Sequence, residues 1–141
     1  MIDRRDILRE ARSLVGTGWR RMGRGPDGVD CAGVVAVVAA RLGYPFNDLK
    51  EYRLDGSGSL RAVMATSFDE VEVEKAEPGD VLLFRVYPRR YEGHCAFLAE
   101  DRRLIHVYHH VRKVVEQSMS AQWESSASVA MRFRGAEPWQ P

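Results

Sequence analysis

The chain has 141 residues, enough for one compact core and too few for two ordinary domains, so residues 1–141 are expected to form a single domain. Its 21 Lys and Arg stand against 20 Asp and Glu, and a net charge of +1 gives neither the basic field of a nucleic-acid binder nor a global pull toward a membrane surface. Hydrophobic residues at 45% and charged residues at 29% fit a soluble globular protein, and the longest apolar run, residues 31–40, is half the roughly 20 residues a bilayer span requires.

At the start of the chain, Ile7, Leu8, Ala11, Leu14 and Val15 recur at helical spacing among charges, which predicts an amphipathic helix over residues 4–15 that Gly16 stops. The same segment lacks the apolar stretch of a signal peptide, so synthesis without an export signal in the bacterial cytoplasm is expected. Reduced thiols at Cys31 and Cys95 go with that setting. Residues 16–28 hold five glycines and Pro26, which is loop chemistry placed directly ahead of the most apolar part of the chain. Residues 30–42 are apolar almost all round. Their valines would suit a strand, but the length, an N-cap at Asp30 and Gly43 at the far end favour a buried helix.

Residues 45–59 are polar and turn-rich, and Leu60, Val63, Met64 and Phe68 have the spacing of a short helix. After Pro78 and Gly79 the pattern changes to short runs rich in β-branched and aromatic residues: 81–86, 94–100, 104–109, 111–116 and 128–134. Helices followed by antiparallel strands predict an α+β fold with the residue 30–42 helix packed on the sheet.

Chemistry concentrates at Cys31, in the first turn of that helix, where unsatisfied N–H groups and the helix dipole favour a thiolate. A cysteine nucleophile also needs an imidazole within reach, oriented in turn by a third polar group. His94 and His106 stand on successive predicted strands. A three-residue turn at 100–102 puts His106 opposite Ala96 and diagonal to His94 on one face, whereas a two-residue turn separates them. An odd-numbered turn or a bulge is therefore expected. Cys95 alternates with His94 and is expected on the other face beside Phe97, as a small core residue.

These residues carry a resemblance. G-V-D-C-A-G-V-V at 28–35, P-G-D-V-L-L-F at 78–84, the Gly93 and His94 pair, and L-I-H at 104–106 resemble the NlpC-type cell-wall peptidases over nearly the whole chain. The resemblance implies a papain-like fold and a catalytic Cys31, His94 and His106, with Asp30 contacting the free amine of the substrate. It implies cleavage of the D-glutamyl to diamino acid bond in peptidoglycan stem peptides through an acyl-enzyme, without a cofactor or metal. Two positions depart from the pattern: Ala32 replaces the usual serine, and Trp19, a candidate substrate-binding residue, stands where tyrosine is common. V-V-E at 114–116, Trp123 and R-F-R at 132–134 further resemble compact versions encoded with phage or phage-derived tail genes. That implies tail or tail-tip partners, and carriage on the particle to the cell wall.

Plainer readings stand beside these. Cys31 alone reads as a packed small residue, His94 and His106 as satisfied strand histidines, and Asp30 as an N-cap only. His106, His109 and His110 invite a metal, but adjacent strand residues face opposite ways and no metal-ligand spacing supports one. The arginines at 4, 5, 9, 12, 20, 21 and 24 read first as a solvated basic face. The rival function is a structural tail-tip or assembly protein with vestigial activity; another keeps the acyl-enzyme and passes the acyl group to an amine.

Overall fold

A computed structural model describes residues 1–48, 59–85, 92–108 and 110–141. Helix α1 (Arg4–Ser13) starts at Asp3, whose carboxylate accepts from the Arg5 N–H, and buries Ile7, Leu8 and Ala11. It also buries Arg4, whose guanidinium donates to Asp80 Oδ1 at 2.8 Å and to the Pro78 carbonyl at 3.0 Å. The chain leaves the helix through Gly16, at φ 96°, a region open to glycine and costly for other residues. The glycine-rich loop then forms a small hairpin, β1 (Arg24–Gly25) with β2 (Gly28–Val29).

Helix α2 (Cys31–Arg41) follows at once, its Asp30 cap and Gly43, at φ 67°, in the expected positions. Its valines go into the core because the helix is enclosed between α1 and the sheet, so a stiff β-branched run is tolerated where packing outweighs propensity.

Helix α3 (Ser59–Ala65) precedes a six-stranded antiparallel sheet. Its strands are β3 (Phe68–Val71), β4 (Val81–Arg85), β5 (Glu92–Ala99), β6 (Arg103–His106), β7 (Val115–Ser118) and β8 (Ala127–Phe133), in the order β3-β8-β4-β5-β6-β7. One face packs against α1 and α2 through Leu83, Cys95, Phe97, Ile105 and Met131. The other gathers Leu82, Phe84, Ala96, Leu98 and Leu104, with Trp123 of the short helix α4 (Ala121–Ser126) against them. The α+β, papain-like architecture expected from the sequence is the one observed.

Four differences have local causes. The predicted helix through Phe68 ends at Ala65: the Thr66 hydroxyl donates back to the Val63 carbonyl, and Phe68 starts β3, packed between Tyr44, Phe46 and Phe133. The predicted strand at 111–116 begins only at Val115. Before it, the Val114 N–H donates to the Thr17 carbonyl, and Arg112 sits at φ 65°, so this stretch pairs with the glycine loop and not with the sheet. Strand β5 starts two residues early, with a register shift opposite Phe84 and Arg85 that accommodates Gly93. The β1–β2 hairpin and α4, too short to show a period, were not anticipated. Val86, His109 and most of the turn-rich segment after residue 48 lie outside the described residues.

Candidate active site

Cys31 opens α2 and is 3% exposed. The turn beneath it is fixed by Asp30: Oδ1 accepts from the Gly33 N–H at 2.7 Å and from Arg24 Nη1 at 3.0 Å, and Oδ2 accepts from the Met22 N–H at 3.0 Å. Arg24 then continues to Asp48 through Nε, at 2.7 Å, and Nη2, at 3.1 Å. Gly33 is required by space, since a Cβ there would lie 2.2 Å from the Gly23 carbonyl oxygen. The glycine loop is thereby pressed against the first turn of α2.

The turn between β5 and β6 spans Glu100–Arg102, the three-residue length expected, and the register runs Phe97 to Ile105, Leu98 to Leu104 and Ala99 to Arg103. Asp101 and Arg102, at φ 57° and 54°, provide the tight reversal. His94 and His106 consequently meet, His94 Nε2 lying 2.8 Å from His106 Nδ1. His94 also acts on Cys31, helping to lower its thiol. The fold thus brings His94 and His106 into direct contact, with His94 acting electrostatically on Cys31.

Burial, and then the positive charge of His94, push His106 down to about 3, so it is neutral at neutral pH. A neutral ring whose Nδ1 accepts from His94 carries its proton on Nε2. That Nε2 is buried and has no partner at hydrogen-bonding distance among the described residues; Gln117, on β7, is the side chain that interacts with the ring. An aromatic wall limits the motion of both imidazoles: Trp123 lies 5.1 Å from the His94 ring, Phe84 5.8 Å, and Tyr108 5.1 Å from that of His106.

The Cys31 thiol is lowered from 9.0 to about 5. The largest cause is a hydrogen bond from the Cys95 thiol; burial opposes it; the hydrogen bond and charge of His94 lower it further, and the charge of Asp30 raises it. Both cysteines are free. Cys95 is buried in the core as expected, on the face of β5 away from the His94 ring. Trp123, Tyr108 and Arg24 were missed as elements of the site. No spacing links them to Cys31, and only the folded topology brings them there.

The remaining candidates have definite places. Asp30, 1% exposed, has its oxygens engaged by Gly33, Met22 and Arg24, so a substrate ammonium would share the carboxylate with Arg24. Trp19 bridges to Val29 through its backbone, two residues ahead of Cys31, while its ring packs on the core 5.4 Å from the Arg112 guanidinium.

A cysteine at the start of a buried helix and two touching imidazoles on the antiparallel sheet packed against it make a domain of papain-like architecture. The NlpC/P60 family profile matches residues 16–132, and the chain belongs to that family. Solved structures agree in fold. The NlpC/p60 domain of the peptidoglycan hydrolase SagA superposes with a TM-score of 0.70 at 21% identity, over 94% of this chain and 100% of that one. An NlpC/P60 protein of Bacillus cereus ATCC 10987 gives 0.73 at 18%, over 92% of this chain and 40% of that one. NlpC1 of Trichomonas vaginalis gives 0.72 at 18%, over 92% and 43%. The chain thus spans less than half the length of several of these proteins. No curated protein shows significant similarity to it.

Proposed function

We propose that this NlpC/P60 chain is a cysteine peptidase that hydrolyses the amide bond between D-glutamate and the diamino acid in peptidoglycan stem peptides. The observation that carries the reading is the 2.8 Å contact between His94 and His106, together with a Cys31 thiol at a helix start that His94 helps to lower to about 5. Membership of a family that includes the peptidoglycan hydrolases SagA and RipB supports the substrate class.

The Cys31 thiolate attacks the amide carbon, and the developing oxyanion takes hydrogen bonds from the Cys31 backbone N–H and a neighbouring donor. His94, protonated, gives its proton to the leaving amine as the C–N bond breaks, which leaves a thioester on Cys31. His94 then removes a proton from water; the hydroxide attacks the thioester, releasing the carboxylate product and restoring the thiolate. Neutral His106 accepts from His94 Nε2–H throughout and holds the ring in the productive tautomer. Asp30 and Trp19 are the candidate substrate contacts of this reading, Asp30 acting through the turn it caps as well as through its charge.

The biological setting in this reading is a phage or phage-like tail, whose proteins are the partners and which carries the chain to the wall. It rests on the resemblance of the C-terminal segments alone. Incubation with defined stem peptides, followed by mass spectrometry of the products, tests the bond: new D-glutamate carboxyl and diamino acid amine ends are expected. A Cys31-dependent cut at another amide would replace the bond assignment, and intact peptides would favour the tail-structural role.

A further inference from the structure

Strand β4 meets a bulge in each of its neighbours, and both lie beside Phe84. On β5 the pairing runs from Arg85 with Glu92 to Phe84 with His94, which leaves Gly93 as the extra residue; on β8 it runs from Phe84 with Ala127 to Leu83 with Val129, which leaves Ser128. Arg85 and Phe84, adjacent on β4, leave opposite faces of the sheet, and so do their partners Glu92 and His94, although these stand two apart on β5. The His94 ring accordingly lies with Phe84, Trp123 and His106, while the Glu92 carboxylate faces Arg85 and Arg61 of α3. Glu92 is 1% exposed, and its Oε2 accepts from the Ser128 hydroxyl at 2.8 Å, so the side chain beside one bulge reaches across β4 to the extra residue of the other.

We infer that Glu92 is a positioning residue for His94: by holding Ser128 across β4 it locks the bulge at Gly93 that turns the imidazole onto His106. Without the extra residue, strand alternation would put residues 92 and 94 on one face, and His94 would leave the aromatic wall for the side that carries Glu92. Ser128 ties the lock to β4 as well, its hydroxyl lying 3.4 Å from the Leu83 carbonyl oxygen. Stability alone does not account for the carboxylate. Arg85 and Arg61, both more than a third exposed, stand 3.5 and 3.9 Å from its oxygens, and Oε1 has no hydrogen-bond partner among the described residues. A dry carboxylate so thinly paired adds little to stability, and register is the use that buried ionic groups serve best.

This inference deepens the peptidase reading and rests on His94 being its base, but its first readout needs no substrate. Histidine-resolved NMR spectra of the wild type, Glu92→Ala, Glu92→Gln and Ser128→Ala follow the proton between His94 Nε2 and His106 Nδ1, and kinetics on a stem peptide are measured where each variant is fully folded. Glu92→Ala should lose the shared-proton signal and lower kcat about 10- to 100-fold, with KM within about twofold of the wild type. Glu92→Gln, which keeps an acceptor for Ser128, should restore most of both. Ser128→Ala, which deletes only the hydroxyl, should displace the same signal. Val63→Ala, a core truncation on α3, should lower stability and leave the signal in place. A wild-type signal in Glu92→Ala overturns the assignment, as does a Glu92→Gln no better than Glu92→Ala, or loss of the signal in Val63→Ala. Should Glu92→Ala not fold, Ser128→Ala decides in the same way, an undisturbed signal overturning the role. A wild type that cuts no stem peptide contradicts the peptidase reading, and the spectra alone then decide the role of Glu92.

Discussion

The proposed mechanism gives the two histidines of the site different duties, and their surroundings make the difference. His94 contacts His106 and acts on the Cys31 thiol, whereas His106 is buried among His94, Tyr108 and Trp123, with Gln117 acting on its ring. His106→Ala should therefore lower kcat by roughly 10- to 100-fold, less than loss of the nucleophile, because it removes orientation and leaves the reacting groups in place; steady-state kinetics on a stem peptide measures this. Acid should expose the same burial. An unfolded His106 takes a proton at about 6.5 and the folded one only at about 3, so the unfolded state binds more protons in between and stability falls as pH drops through that window. Denaturant titrations between pH 6.5 and 3 should show His106→Asn with a shallower loss than the wild type. The rate has its own acid limb: kcat/KM should rise through pH about 5 as the Cys31 thiolate forms, and a limb near 9 would mean that the contacts lowering the thiol are absent in solution.

At the level of elements, the site depends on one helix start and one turn. Asp30 satisfies the Gly33 and Met22 N–H groups and the Arg24 guanidinium together, so Asp30→Ala should cost about 2–4 kcal/mol, and Asp30→Asn, which keeps an acceptor for the cap, distinctly less. Gly33→Ala should also destabilise, by about 1–3 kcal/mol, since its Cβ would collide with the Gly23 carbonyl. It should slow turnover as well, because the displaced loop carries the Met22 and Arg24 partners of Asp30. Urea midpoints and kinetics on the three variants check both statements. The helix, its cap and the hairpin register were legible in the sequence because each rests on local rules: Asp30 before an apolar run, Gly43 after it, and strand alternation around a three-residue turn. Helix α4 and the start of β7 were not, since Trp123 is placed by the sheet face it covers and residues 111–114 by the glycine loop they pair with.

For the whole molecule, the order of motifs along the chain was the strongest signal. It spaces a helix-borne cysteine and two strand-borne histidines as an α+β, papain-like domain requires, and the NlpC/P60 match over residues 16–132 agrees. Convergence of Trp123 and Tyr108 on the two imidazoles, and of Arg24 on Asp30, could be read only after folding, because sequence separation carries no information on which distant side chains meet. The central claim is that Cys31 is the nucleophile of a stem-peptide hydrolase. Wild type and Cys31→Ala, each shown to be folded by circular dichroism, are incubated with a soluble stem peptide, and products and acid-quenched protein are weighed by mass spectrometry. The account predicts cleavage and an acyl adduct on Cys31 in the wild type and neither in the variant; equal cleavage by Cys31→Ala would contradict it.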